Sequence, residues 1–143
     1  MPKFSFLVTG CTGFIGSHLV EKLSLLGHSV HCIIRPNSNL NRLNSYINNL
    51  YLHTCVNEID FTLLFDDFKF DFIIHLATEY HKNDDPTKFG SMIDSNVKFP
   101  SFLISLATKQ NIKGFINTGS YFEYSPSHLP LSENSLKTPI NFY

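Results

Sequence analysis

Hydrophobic positions along the chain alternate between short continuous runs and longer stretches of helical period. The continuous runs have the length and apolar character of buried strands, and they cover residues 4–8, 29–34, 50–56, 71–76 and 114–117. Apolar residues recur at steps of three and four over 14–26, which predicts an amphipathic helix that ends just before Gly27. A short helix is predicted over 61–68, and a longer one over 86–110 that bends near Pro100. Residues 37–49 predict a polar loop with a weak helix, and residues 120–143 show no clear element.

This alternation of strand and helix indicates one fold class. Strands that are apolar throughout are typical of a parallel sheet covered by helices on both faces. Right-handed crossovers then produce the doubly wound arrangement. We therefore predict an α/β protein with a Rossmann-type doubly wound parallel sheet, and a single domain over residues 1–143.

Composition and charge narrow the classes of function. Of the 143 residues 43% are hydrophobic, and 11 basic against 12 acidic residues give a formal net charge of −1. The apolar content argues against disorder, and the balanced charge argues against a nucleic-acid partner. No apolar run approaches the roughly 20 residues of a membrane span, so no membrane partner is expected. Three widely spaced cysteines, without a Cys-x-x-Cys pair, predict no disulfide framework and indicate a cytoplasmic location.

A glycine motif lies between the first predicted strand and the first predicted helix, where residues 9–16 are TGCTGFIG. Gly10 permits the tight turn, Gly13 lets a pyrophosphate approach the backbone, and Gly16 lets the helix pack closely on the strand. The N-terminus of the helix stabilises the phosphate charge. The motif in this position predicts a dinucleotide-binding site, with a purely structural glycine loop as the alternative.

Four motifs carry a resemblance to a known family. They are VTGCTGFIGSHLVEKLSLLGHSV at 8–30, DFIIHLAT at 71–78, Asn96-Val97 on the long helix, and GFINTGSYFEY at 114–124. In this order they resemble the extended short-chain dehydrogenase/reductases, which are NAD(P)-dependent epimerases and dehydratases of nucleotide sugars. The resemblance covers nearly all of the chain. It implies that residues 1–143 are the NAD(P)-binding Rossmann domain, truncated before the last strands and without the C-terminal substrate domain.

The resemblance also implies which residues contact the cofactor. Members that use NAD usually have an Asp at the end of the second strand. In this sequence Arg35 occupies that position, close to the expected spacing of roughly 20 residues after Gly16. A guanidinium matches a 2′-phosphate in charge and geometry, so we expect NADP to be preferred over NAD, with Arg42 as a second contact. A solvated surface arginine is the alternative for Arg35. The other positions that match cofactor contacts of the family are Gly10, Thr12, Gly13, Phe14, Ile15, Gly16, Glu58, Ile59, Leu76, Ala77, Thr78 and Asn96.

Two residues match the positions that handle the substrate oxygen in the family. Ser120 follows the fifth predicted strand, where its hydroxyl would face the ligand crevice, and Thr118 is the alternative. Tyr143 matches the acid/base tyrosine, unless it is an ordinary terminal aromatic residue. The family's lysine would lie four positions after Tyr143, beyond the last residue. Because a phenol without a cationic neighbour is a poor base near neutrality, we expect residues 1–143 alone to be inactive.

No metal site is predicted, because the seven histidines show neither His-x-x-x-His nor His-Glu-x-x-His spacing. The sequence thus favours the cofactor-binding portion of an NAD(P)-dependent nucleotide-sugar oxidoreductase. Its full-length form is expected to form a homodimer through the long helix, as is common in the family. The sugar stays open, as does the choice between epimerisation, dehydration and 4-keto reduction. The alternative is a non-catalytic dinucleotide-binding module or redox sensor.

Overall fold

A single parallel sheet forms the centre of the protein. The computed structural model describes residues 2–81, 85–125, 130–139 and 143. Within these residues the strands are β1 Ser5–Thr9, β2 Ser29–Ile34, β3 Tyr51–Thr54, β4 Phe72–His75 and β5 Gly114–Asn117. They lie in the order β3-β2-β1-β4-β5, and every neighbouring pair is parallel. The chain order thus runs outward from β1 in both directions, which confirms the predicted doubly wound Rossmann-type fold.

Helices on the two faces of the sheet connect the strands. They are α1 Phe14–Leu25, α2 Glu58–Asp67, α3 Phe89–Ile93 and α4 Phe99–Gln110. The predicted end of α1 is confirmed, since Gly27 adopts a φ of +79° just beyond it. The predicted start of α2 at residue 61 is wrong. The helix begins earlier because Asn57 caps it, with its Oδ1 accepting from the N–H groups of Ile59 and Asp60 at 2.9 and 3.1 Å.

The long helix predicted over 86–110 is not continuous. It consists of a 3-10 turn at Pro86–Lys88, then α3, a π-helical turn at Asp94–Lys98, and α4. Pro100 has no N–H to donate to the carbonyl four residues earlier, and its ring crowds that carbonyl. A wider turn relieves both problems, so the bend predicted near Pro100 takes the form of a π turn directly before it. The weak helix predicted within 37–49 is likewise replaced by two 3-10 turns, Asn41–Leu43 and Ile47–Asn49.

Two apolar cores cover the two faces of the sheet. Leu7 of β1 belongs to the core under α2 and α4, together with Leu103, and both are fully buried. Val8, the next residue of β1, belongs to the core under α1, together with the fully buried Val20 and Leu43. Alternate residues of a strand point to opposite faces, so β1 anchors both layers and holds the loop that follows it. Among the described residues, no helix has the length and apolar character that crossing a membrane requires.

Candidate functional site

The glycine loop follows β1 and passes against the end of β4. Gly10 has a φ of +71°, and a Cβ there would lie 2.7 Å from the backbone of both Leu76 and Ala77. A Cβ on Gly16 would overlap the carbonyl oxygen of Gly10 and lie 2.8 Å from the Cα of Cys11. A side chain fits at neither position. The loop, the first turn of α1 and the end of β4 are therefore in direct backbone contact.

The first turn of α1 contains backbone N–H groups that can bind an anion. No side chain caps this helix, and the N–H of Ser17 donates to the carbonyl of Gly13 at 3.0 Å. In the part of the chain that the structure describes, the N–H groups of Phe14, Ile15 and Gly16 have no acceptor. Phe14 and Ile15 are apolar, yet they are 70% and 67% exposed. A phosphate group would supply acceptors and the negative charge that a helix N-terminus favours.

A buried hydrogen-bond network joins the carboxyl ends of β1 and β4. Thr9 Oγ1 accepts from the N–H of Ala77 at 3.2 Å and lies 2.7 Å from His75 Nδ1. Burial lowers the pKa of His75 to about 4, so its imidazole is neutral near pH 7 and shares one hydrogen bond with the Thr9 hydroxyl. The predicted contacts Leu76, Ala77 and Thr78 follow directly. They lie between β1 and β4, where the strand order reverses and where ligands bind in doubly wound sheets.

Asn96 lies in the π turn and holds the loop that follows β4. Its Oδ1 accepts from Thr78 Oγ1 at 3.1 Å and from the N–H of Glu79 at 2.8 Å. Its Nδ2 donates to the carbonyl of Glu79 at 2.8 Å. Both lone pairs of the amide oxygen and one of the two N–H groups are thus used within the protein. Asn96 therefore positions Thr78, and its second amide N–H has no acceptor among the residues that the structure describes.

Arg35 and Arg42 are exposed beyond the carboxyl end of β2. The N–H of Arg35 donates to Ser38 Oγ at 2.9 Å, and the N–H of Ser38 donates to the carbonyl of Arg35 at 3.0 Å. The Tyr46 hydroxyl donates to the Ser17 carbonyl of α1 at 2.6 Å and lies 3.0 Å from the carbonyl of Arg42. Neither guanidinium forms an ion pair with a carboxylate of the described residues. Both cations are held by their backbones and remain available to an anion.

Glu58 and Ile59 lie in the first turn of α2, which follows the edge strand β3. A cavity of about 180 Å³ lies between this turn and the helical segment 94–102. It is lined by Val56, Asn57, Glu58, Phe61, Asp94, Lys98, Phe99 and Phe102. Ile59 does not line the cavity and is 69% exposed. The structure therefore places Glu58 at a recess and Ile59 on an open surface.

Ser120 caps a 3-10 turn, Tyr121–Glu123, that follows β5. Ser120 Oγ accepts from the N–H of Phe122 at 3.1 Å, and Glu123 Oε1 accepts from the N–H of Ser120 at 2.9 Å. Thr118 differs, since its N–H and its hydroxyl both donate to the carbonyl of His75 at 3.3 Å. The sequence prediction did not include Glu123, although Ser-x-x-Glu is the spacing of a capping box.

Ring contacts connect Tyr143 to the turn after Ser120. The ring of Tyr143 meets that of Tyr80 edge-on, with centroids 4.8 Å apart. Tyr80 in turn stacks on Phe122 at 6.1 Å, two residues after Ser120. Residues 140–142 of the predicted approach to Tyr143 lie outside the described residues. The contacts bring Tyr143, the loop after β4 and the turn after β5 to the same side of the sheet.

Metal-ligating side chains do not form a further cluster in the described residues. No group of three or more His, Cys, Asp or Glu is arranged there to hold a metal ion. Cys11, Cys32 and Cys55 are buried and carry free thiols. Their environment is the apolar core and the base of the glycine loop.

Comparisons with known proteins agree with this geometry. A family model described as "NAD dependent epimerase/dehydratase family" matches residues 6–143. UDP-glucose 4-epimerase of Caenorhabditis elegans is 30% identical over 145 residues, which cover 90% of this chain and 42% of that protein. CDP-abequose synthase of Salmonella typhimurium is 37% identical over 121 residues, which cover 81% of this chain and 38% of that protein. The Bordetella bronchiseptica enzyme WbmG, in complex with NAD and UDP, has a TM-score of 0.80 at 25% identity, over 99% of this chain and 46% of that chain. The chain spans about two fifths of the length of the curated relatives it matches.

Proposed function

The chain belongs to the NAD dependent epimerase/dehydratase family, and from this premise we propose that it is the cofactor-binding part of an NAD(P)-dependent nucleotide-sugar oxidoreductase. The observation that carries the proposal is the glycine loop at the reversal of strand order, with three N–H groups on α1 that have no acceptor among the described residues. Residues 1–143 form the dinucleotide-binding domain in this proposal. A nucleotide sugar is the proposed substrate, because the related proteins are named for UDP- and CDP-linked sugars.

The described residues fit a dinucleotide. The N–H groups of Phe14, Ile15 and Gly16 would hold the pyrophosphate. Gly13 leaves room for it, because a Cβ built there would have only the Gly10 carbonyl oxygen within 4 Å, at 3.2 Å. The exposed apolar surfaces of Phe14 and Ile15 would be covered by the bound cofactor. Leu76, Ala77 and Thr78 would lie beside it, on the strand end that the Thr9 network holds.

NADP is the proposed cofactor because two guanidinium groups, those of Arg35 and Arg42, lie beyond β2 without an ion pair to any carboxylate of the described residues. A charge-assisted hydrogen bond contributes roughly 1.5–3 kcal/mol, which is about 10- to 150-fold in affinity. Calorimetric titration should therefore give a lower Kd for NADP⁺ than for NAD⁺. Arg35→Ala should reduce this difference by about tenfold or more and leave the Kd for NAD⁺ within about twofold. Tighter binding of NAD⁺ by the unmodified protein would contradict the preference.

The proposed chemistry requires a donor and an acid/base beside the sugar. A nicotinamide held here would supply hydride exchange with a sugar carbon, and the protein's own residues must then hold or move the proton on that carbon's oxygen. The Ser120 hydroxyl keeps its proton and one lone pair after accepting from Phe122, so it can hydrogen-bond that oxygen. Tyr143 is the proposed acid/base. The proposed assembly is a cytoplasmic homodimer, in which Ile93 and Val97, 40% and 53% exposed, contact the second copy.

Turnover of the full-length protein tests the proposal. The assay follows reduced nicotinamide and product sugars with UDP-glucose, UDP-galactose and nucleotide-linked 4-keto sugars. Ser120→Ala should lower kcat by about 10²-fold or more, the range for loss of a proton-handling group. A Ser120→Ala protein with full activity would refute this role. Tight NADP⁺ binding with no turnover of any sugar would instead identify a non-catalytic dinucleotide-binding module.

A further inference from the structure

A reciprocal pair of hydrogen bonds holds the residue that the proposed function places at the substrate. The carboxylate of Glu123 accepts from the N–H of Ser120 at 2.9 Å, while Ser120 Oγ accepts from the N–H of Phe122 at 3.1 Å. A third bond, from the N–H of Glu123 to the carbonyl of Ser120 at 3.2 Å, closes the turn. Ser120 is therefore held through its N–H, its carbonyl and its hydroxyl within four residues.

Gly119 provides the space that the carboxylate needs. A Cβ on Gly119 would lie 2.5 Å from Glu123 Oε1 and 3.3 Å from its Cδ. Any side chain there would push the carboxylate away from the N–H that it caps. Gly119 and Glu123 thus form one structural unit on either side of Ser120.

The capping has a direct consequence for the hydroxyl. A serine hydroxyl has one proton and two lone pairs, and the N–H of Phe122 occupies one lone pair. With the backbone fixed by Glu123, the Cα–Cβ bond keeps one direction and the proton and second lone pair face away from the turn. We propose that Glu123 is a positioning residue, which orients the Ser120 hydroxyl for donation to the substrate oxygen. This inference rests on the proposed function of Ser120.

The same turn also supports the second proton-handling group. Phe122 is the central residue of the turn, and its ring stacks on Tyr80, which contacts Tyr143. A turn that loosens on loss of Glu123 would therefore disturb both Ser120 and Tyr143. The expected effect is on the chemical step rather than on binding of the nucleotide sugar.

Two substitutions in the full-length protein separate the acceptor from the charge. Glu123→Gln keeps an oxygen that can accept from Ser120, while Glu123→Ala removes it. Glu133→Ala removes an exposed carboxylate ten residues later and serves as the control. With UDP-glucose or UDP-galactose, Glu123→Ala should lower kcat about tenfold or more and leave KM within about threefold. Glu123→Gln and Glu133→Ala should stay within about threefold of the unmodified protein in both constants.

Amide hydrogen exchange tests the contact without turnover. Glu123→Ala should speed exchange of the Ser120 and Phe122 amides about tenfold, the effect of losing one such hydrogen bond, whereas Glu123→Gln should not. Unchanged exchange and kcat in Glu123→Ala would overturn the inference, as would an equal loss of kcat in Glu133→Ala. If Ser120→Ala leaves kcat unchanged, or no sugar is turned over, the proposed function fails instead. The exchange rates then decide by themselves whether Glu123 holds the Ser120 turn.

Discussion

Replacing Gly16 by alanine tests whether backbone packing sets the geometry of the glycine loop. Gly16 is buried in the first turn of α1. The added Cβ would overlap the Gly10 carbonyl oxygen and lie 2.8 Å from both the Gly10 carbonyl carbon and the Cα of Cys11. Cβ contacts below 3.0 Å are essentially never seen, and these neighbours are backbone atoms that cannot rotate away. The start of α1 must therefore move off β1.

Two effects of opposite sign set the magnitude. Alanine is favoured over glycine within a helix by about 1 kcal/mol. Overpacking a well-packed interior typically costs about 1–3 kcal/mol, and a clash with rigid backbone belongs at the upper end. The net loss in the free energy of unfolding should be about 2 kcal/mol. In a chain of this length that lowers Tm by roughly 6 °C.

Urea unfolding followed by far-ultraviolet circular dichroism measures this loss, since the chain has no tryptophan to report by fluorescence. Gly90→Ala is the matched control. Gly90 lies in α3, and a Cβ there would have nothing within 4 Å. Without a clash, the helix preference alone should stabilise this variant by about 0.5–1 kcal/mol. NADP⁺ affinity should fall about tenfold or more in Gly16→Ala and stay unchanged in Gly90→Ala, because only the former moves the loop.

A Gly16→Ala protein with the stability and NADP⁺ affinity of the unmodified protein would refute this reasoning. It would show that the loop and α1 can separate at no cost. Equal losses in the two variants would also refute it, since they would trace the effect to alanine in general and not to the contact with Gly10.

Three further predictions concern stability measured by urea unfolding. Stability should fall as pH drops from about 6.5 to 4, because burial lowers the pKa of both His75 and His31 to about 4 and the unfolded chain therefore binds more protons. Each group contributes up to about 3 kcal/mol, so His75→Gln should remove about half of the pH dependence, with His31 supplying the rest. A stability that does not change with pH in the unmodified protein would contradict the argument. Gln110→Ala should lower the free energy of unfolding by about 2 kcal/mol, because the Gln110 amide accepts from the N–H of Phe70 and donates to the carbonyls of Phe65, in the last turn of α2, and Phe68, just after it. A loss under about 0.5 kcal/mol would mean that water replaces the amide. Asn57→Ala should lower the free energy of unfolding by about 1 kcal/mol because α2 loses its cap, and Asn57→Asp should keep the stability of the unmodified protein. Equal stability of Asn57→Ala and the unmodified protein would show that the cap contributes nothing.

Local pattern is enough to predict most of the secondary structure. All five strands are predicted within two residues at each end, because a buried parallel strand must be a continuous apolar run. The end of α1 is also predictable, since Gly27 can adopt the positive φ that follows a helix. The start of α2 is missed because its apolar period begins at Phe61, whereas the helix itself begins where Asn57 can cap it.

The π turn before Pro100 shows where local pattern stops being sufficient. The proline predicts an irregularity, but several kinds of bend would satisfy its missing N–H. The turn that forms also directs Asn96 onto the loop after β4, with three hydrogen bonds to Thr78 and Glu79. That contact joins segments far apart in sequence, so no window of sequence around either one contains it.

By itself, the sequence determines the fold class, the glycine loop and the residue types available to the site, because these depend on neighbouring residues and on the steric freedom of glycine. The tertiary structure decides which distant groups meet. Thr9 reaches His75, 66 residues away, because β1 and β4 pair in a register that sets these residues side by side. Tyr80 likewise meets Phe122 because the loop after β4 lies beside the turn after β5. Such contacts follow from strand order and register, which arise from packing the whole chain at once.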